Sequence, residues 1–155
     1  MSNQVLQPTR ALNVIPSDDV NIPYPNIAAS GTTTSGGSFL LVDNSGVDFI
    51  SQGIKVGDSI WNVTSGVWTV VTSVSPEELG LAQDAFPSGS ETYIIYQGEN
   101  TGCTLFVGTG GSITVLTADN NDVELAGVPD GSFIPIKVLR VYASPTSCSN
   151  IIALW

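Results

Sequence analysis

The sequence predicts an all-β fold: a small β-sandwich or barrel domain interrupted by an inserted small β-barrel-like module. Gly (16) and Pro (9), together with Asn, Asp and Ser, break the chain every few residues. Each favours a turn for its own reason: Gly reaches positive φ, Pro fixes φ, and Asn and Asp bond their own backbone. Between the breaks lie short runs of Val, Ile, Thr, Phe and Tyr, which suit a pleated, half-buried surface. No window repeats apolar residues at helical spacing long enough for a full helix. One helical turn is predicted at Pro76-Glu77-Glu78-Leu79, with Ser75 as its cap.

Residues 1–27 read as an extended arm belonging to the main domain. Pro8, Pro16, Pro23 and Pro25 remove donors and disfavour helix. Val14-Ile15 gives one short strand, Pro16-Ser17-Asp18-Asp19 a turn, and Ile22-Pro23-Tyr24-Pro25-Asn26 a rigid aromatic stretch that lies against another surface. Residues 28–98 read as the inserted module. It opens on Ala-Ala-Ser-Gly-Thr-Thr-Thr-Ser-Gly-Gly at 28–37, a composition typical of linkers and exposed loops. Strands are predicted at 38–42, 47–50, 58–63, 67–74, 80–82 and 91–96, with turns at Asp43-Asn44-Ser45-Gly46, Lys55-Val56-Gly57-Asp58, Ser65-Gly66 and Pro87-Ser88-Gly89-Ser90.

The main domain resumes over residues 99–155, with strands predicted at 103–107, 112–117, 122–125, 133–142 and 151–155. Val128-Pro129-Asp130-Gly131 is a hairpin turn. The 133–142 run is apolar on both faces, the pattern of a strand covered on both sides. In so small a domain the second cover is expected from another subunit. Ile151-Ile152-Ala153-Leu154-Trp155 is apolar throughout, and such a strand aggregates unless it is paired or buried.

Composition excludes several functions. Fourteen acidic residues stand against four basic ones, for a net charge of −10 over 155 residues. Phosphate binding needs clustered Lys and Arg, whereas Arg10, Lys55, Lys137 and Arg140 are scattered, so no nucleic-acid partner is expected. With 42% hydrophobic residues the chain has a core to bury and is not a disordered acidic tail. No apolar run approaches a membrane span. Residues 1–10 lack the apolar region of a secretory signal, so a protein made and kept in the cytosol before it acts, with no membrane partner, is expected. Histidine is absent, which removes the commonest general base and metal ligand. Cys103 and Cys148 read as buried thiols in preference to a bridge.

Three stretches carry a resemblance. They are Gly102-Cys-Thr-Leu-Phe-Val-Gly-Thr-Gly-Gly111, Gly127-Val-Pro-Asp-Gly-Ser-Phe-Ile-Pro-Ile136, and residues 138–155 ending in Ile-Ile-Ala-Leu-Trp. They resemble the head spike-base family of small virion proteins of tailed phages and gene-transfer agents. Arg10-Ala-Leu-Asn-Val-Ile-Pro-Ser-Asp18 and Ile22-Pro-Tyr-Pro-Asn26 are similar to that family's opening. In the family the opening leads almost directly into the glycine-rich strand; here residues 28 to about 99 intervene. Gly53-Ile-Lys-Val-Gly-Asp58, Trp61-Asn-Val-Thr64 and Tyr93-Ile-Ile-Tyr96 are similar to small β modules in structural proteins of marine phages. The resemblance implies a structural protein of a tailed-phage virion, a head decoration, cement or vertex spike-base subunit. Its partners would be itself, as a trimer or pentamer, and the major capsid protein or other virion proteins.

On that reading the assembly interface takes in Ile22, Tyr24, Phe133, Ile136, Val138, Arg140, Tyr142, Ile151, Ile152, Leu154 and Trp155, and the arm at 4–26 lies across neighbouring subunits. The alternative is a receptor- or glycan-binding module of a tail or fibre, presenting Trp61, Trp68, Tyr93 and Tyr96 to sugars; aromatics on strands also serve as core. No catalytic residues, cofactor or metal are expected. Asp119-Asn120-Asn121-Asp122 misses the EF-hand template at Val123 and Glu124 and reads as a polar hairpin turn. Gly108-Thr109-Gly110-Gly111 lacks the lysine and following helix of a phosphate loop. Asn62-Val63-Thr64 matches a glycosylation acceptor by sequence alone.

Overall fold

The structure, a computed structural model, describes residues 8–155. Among them the regular structure is all β. The chain forms two compact units, residues 8–22 with Asn100–Trp155, and Pro23–Glu99. In chain order the first unit contributes β1 (Ala11–Asn13). The second holds β2 (Ile27–Thr32), β3 (Ser35–Gly37), β4 (Leu40–Val42), β5 (Ser59–Asn62), β6 (Val67–Val74), β7 (Glu78–Leu81) and β8 (Thr92–Tyr96). The chain then returns to the first unit for β9 (Cys103–Thr109), β10 (Gly111–Thr117), β11 (Asp122–Val128), β12 (Ser132–Val141) and β13 (Ser149–Leu154).

The first unit is a six-stranded antiparallel sheet in the order β1-β13-β9-β12-β10-β11. Period-2 alternation decides its faces. Cys103, Leu105 and Val107 of β9 point inward with Ile113 and Val115 of β10, Ile134, Val138 and Val141 of β12, and Ile151 and Ala153 of β13. The glycine-rich run at 108–111 serves the backbone. A Cβ at Gly110 would strike the Val128 carbonyl, and Gly111 holds φ +154°, so the strand can turn against the β11–β12 connection.

The arm belongs to its own unit. Thr9 N–H donates to the Trp155 carbonyl at 2.6 Å, β1 pairs with β13, and Ser17 and Ile22 N–H groups donate to the Val141 and Leu139 carbonyls. The short strand is Ala11–Asn13, not Val14-Ile15. Arg140 Nε donates to Asn21 Oδ1 and its Nη1 to the Asp18 carbonyl, both at 2.8 Å. Residues 9–22 thus make bonds within their own unit. Residues 1–7, the start of the expected arm, lie outside the described residues.

The second unit is a seven-stranded antiparallel sheet ordered β2-β8-β5-β6-β7-β4-β3. Its two edge strands are consecutive in the chain, with only Thr33 and Thr34 between them. The sheet therefore curls until its edges meet at that corner. No ladder joins β2 to β3, so it is not a closed barrel. Inside the curl lie Leu41, Phe49, Ile60, Val71, Leu79, Phe86, Tyr93 and Ile95.

The stretch expected as a linker, 28–37, supplies both edges instead. Its small residues answer a packing need. A Cβ on Gly31 would lie 2.6 Å from the Tyr93 hydroxyl oxygen, and one on Gly36 would strike the Pro87 carbonyl. The predicted strand at 47–50 is a turn, because the Asp48 carboxylate accepts from the Ile50 and Ser51 N–H groups, as an N-cap does, while Phe49 enters the core. The predicted helical turn at Pro76–Leu79 is instead the bend of the β6–β7 hairpin at Pro76-Glu77, closed by Ser75 N–H on the Glu78 carbonyl, followed by the start of β7, where Leu79 pairs with Leu41 and Val74. The joints lie at Ile22/Pro23 and Glu99/Asn100, whereas the composition shift placed the first at 27/28. Where the chain leaves and re-enters the first unit, Asn100 Nδ2 donates to the Ile22 carbonyl at 2.9 Å.

Candidate functional site

Each apolar strand at the centre of the first unit has an outward face as well as an inward one. On β12, β9 and β13 that outward face carries large apolar side chains among polar ones. Phe133 pairs across the ladder with Phe106, Phe106 with Ile152, and Ile152 with Asn13 of β1. The next outward row places Thr104 beside Leu154. Phe133 is 62% exposed, and its ring meets Phe106 edge-on at 5.2 Å between centroids. Such pairing is favourable beyond burial alone, and it props the Phe133 ring upright on the sheet. Four large apolar side chains thus share one face, with Lys137 of β12 at its end over Gly102, and contiguous apolar surface on a domain marks an interaction site.

The sequence-predicted interface residues separate by strand parity. Phe133, Ile152 and Leu154 lie on this outer face. Val138, Ile151 and Ile22 are buried inside their own unit and offer a partner no surface. One face of β12 is covered within its own unit, where Ile134, Val138 and Val141 join the core with β9, β10 and β13, and the Phe133 side is left open. Ile136 and Trp155 are half-buried against the same core, and Trp155 Nε1 donates to Asn100 Oδ1 at 3.2 Å. Arg140 is engaged by residues 18 and 21 and lies 5.6 Å from the centre of the Tyr142 ring. Tyr142 donates to Asp122 Oδ1 at 2.7 Å, and that bond raises its pKa. Tyr24 falls in the second unit, its ring against Gly98. Phe106 was missed, although its alternation with Leu105 and Val107 is visible in the sequence; what the sequence withholds is its ladder partner.

The alternative aromatic surface does not form as expected. Tyr93 is wholly buried in the second unit's core, where its hydroxyl donates to Asp43 Oδ2 at 2.7 Å. Burial first, then the Asp43 carboxylate, pushes the tyrosine pKa far above its usual 10. Trp68 and Tyr96 lie on the other face of the sheet but are each only 5% exposed, with ring centroids 5.6 Å apart. Trp61, half-buried, stacks on Trp68 at 6.0 Å and 16°. Both indole N–H groups are buried without a partner, so a sugar hydroxyl has no path to them.

Other motifs resolve into structure. Asn62 is fully buried: its Nδ2 donates to the Ala85 carbonyl and Glu91 Oε1, and its Oδ1 accepts from Thr64 and Ser65 N–H groups. It ties the β5–β6 turn to the core and is no glycosylation acceptor. The 119–122 segment is a hairpin turn with Asn120 at φ +61°, and among the described residues no three His, Cys, Asp or Glu gather as metal ligands. Cys103 and Cys148 are buried free thiols; burial pushes Cys103 up to about 12. No helix among the described residues is long and apolar enough to cross a membrane.

One cleft in the second unit has converging polar groups, a hollow of about 560 Å³ between the Lys55–Asp58 turn and residues 97–99. Asp58 Oδ2 accepts from Lys55 N–H at 2.8 Å and from Gln97 Nε2 at 3.2 Å. Neither Asp58 Oδ1 nor Gln97 Oε1 enters those bonds. A smaller hollow in the first unit lies beside Asp119, Asn121 and Lys137.

No family model, no curated protein and no solved structure matches this chain.

Proposed function

We propose that this chain is a structural subunit of a tailed-phage virion, a head decoration, cement or vertex spike-base protein that acts by binding capsid and by self-association. The observation that carries the reading is the outer face of β12, β9 and β13, where Phe133 stands exposed and Phe106, Ile152 and Leu154 half-exposed. In a chain of net charge −10 that patch gathers two phenylalanines and two aliphatic side chains, and aromatic residues are enriched at interface centres where charge is depleted. The resemblance of the 102–155 stretch to the spike-base family supports the same reading.

The test has two parts. Phe133→Asp with Ile152→Asp should leave the chain folded, because both side chains point away from the core, and should reduce its mass by light scattering from oligomer to monomer. The same variant should fail to enter reconstituted particles, whose protein inventory by mass spectrometry gives the copy number that symmetry imposes on the natural chain. A variant that still assembles and still loads particles would overturn the proposal.

A further inference from the structure

We propose that the cleft between the Lys55–Asp58 turn and residues 97–99 is a binding site for a neutral saccharide. This goes beyond the assembly reading and uses none of its surface.

The size fits. About 560 Å³ lies within the ~300–1,000 Å³ usual for small-molecule sites. The chemistry of the lining is that of hydroxyl recognition. A sugar presents neighbouring hydroxyls, each a donor and an acceptor. Carboxylate and amide oxygens accept from such hydroxyls, and Asp58 Oδ1 and Gln97 Oε1 are outside the bonds that fix their side chains. Asp58, Glu99, Gln97 and Asn26 supply these groups, and Lys55 adds a donor. Two of them are held in place before any ligand arrives. The Asp58 carboxylate is fixed by the Lys55 N–H, and the Gln97 side chain is fixed between the Gly53 carbonyl and Asp58. Pre-organisation lowers the ordering loss on binding. Val56, 65% exposed on the rim, offers an apolar contact to the C–H face of a pyranose.

Charge selects the class. An anionic ligand meets Asp58 and Glu99 inside a chain of net charge −10, a field that repels anions. A cationic ligand is drawn by Asp58 and Glu99 but must shed its own hydration beside the Lys55 ammonium, a desolvation cost. A neutral polyhydroxyl ligand meets neither penalty.

The experiment is a titration of the full chain by amide-resolved NMR with glucose, galactose and N-acetylglucosamine, taken to about 100 mM, beyond the millimolar range that so few polar contacts support. Glucuronate and glucosamine are the charged comparisons. The expected result is saturable shifts confined to residues 54–58 and 97–99 with at least one neutral sugar. Lys55→Ala and Glu99→Ala, whose side chains hold no hydrogen bond that shapes the turn, should each weaken that binding about tenfold while leaving the remaining spectrum in place. Asp58→Asn is the conservative third variant, keeping the shape and one acceptor. The absence of shifts with all three neutral sugars, shifts centred elsewhere, binding unchanged in both alanine variants, or tighter binding of either charged comparison would each overturn the proposal. Loss of assembly in Phe133→Asp leaves this site intact, so the two proposals fail separately.

Discussion

The second unit depends on a few polar atoms that its sequence hides among ordinary turn residues. Asp43 is buried beside Tyr93, and burial alone would raise its pKa. Hydrogen bonds from Ser45 Oγ at 2.6 Å, the Tyr93 hydroxyl and Ser45 N–H outweigh that effect and hold it below the usual 3.8. A carboxylate depressed in the folded state adds stability that is present above its unfolded pKa and is lost as pH falls through the folded one. The second unit should therefore weaken in acid below about pH 4, seen as a lower denaturant midpoint. Tyr93 acts at the other end. Its pKa is raised above 10 on folding, so its contribution is complete below pH 10 and is lost as pH rises beyond that. Tyr93→Phe should abolish this alkaline sensitivity, measured by tyrosinate absorbance, and cost about 1–3 kcal/mol by removing a bond to a buried charge. Gly31→Ala should destabilise by a similar amount, about 1–3 kcal/mol of overpacking, because its Cβ has only the Tyr93 hydroxyl and Asp43 to push against.

At the level of elements, β13 shows why one apolar run plays two parts. It lies between β9 and β1, so Ile151 and Ala153 enter the core while Ile152 and Leu154 face out. Deleting the whole strand would remove core together with interface. Single changes separate them. Ile151→Ala should cost about 2–5 kcal/mol in denaturant unfolding and leave association intact under native conditions. Ile152→Ser should change stability by no more than about 0.5 kcal/mol while weakening self-association by sedimentation. The edge strands point the same way. β11 carries Asp122 and Glu124, and its ladder is interrupted near Gly127, which holds φ +66°. Charge and bulges protect an edge from pairing with another chain, which leaves the apolar face as the better contact surface. Period-2 alternation made these strands legible, since it depends on neighbouring residues alone. The 28–37 stretch was not legible, because glycine reads as flexibility unless Tyr93 and Pro87 are known to press on it.

For the whole molecule, the two crossings of the chain lie together at Ile22 and Asn100, which makes the second unit replaceable in principle. Exchanging Pro23–Glu99 for a short Gly-Ser linker should leave a folded first unit, detected by the spectrum of the remaining Trp155 environment and by protection of its thiols. The intact chain should show two transitions with separate reporters. Cys103 and Cys148 both sit in the first unit, and burial raises both thiol pKa values, Cys103 to about 12. They should resist thiol reagents until that unit opens, since the thiolate is the reactive species. Tyr93 reports the second unit. A single coincident transition by both probes would show that the units unfold together.

By itself the sequence determined that the chain is all β, that a distinct β module interrupts the main domain, and where most strands run. Those properties follow from turn chemistry and local alternation. Tertiary structure alone decided which side of each apolar strand is core. Phe133 and Val138 look alike in the sequence, yet one is 62% exposed and the other is fully buried. Alternation separates those two, but the irregular pairing of β12 with β10 also turns Val141, three residues beyond Val138, to the same core, because register depends on residues distant in the chain. The same holds for the Lys55–Glu99 cleft, whose walls come from segments some forty residues apart and converge only when the second unit's sheet is assembled.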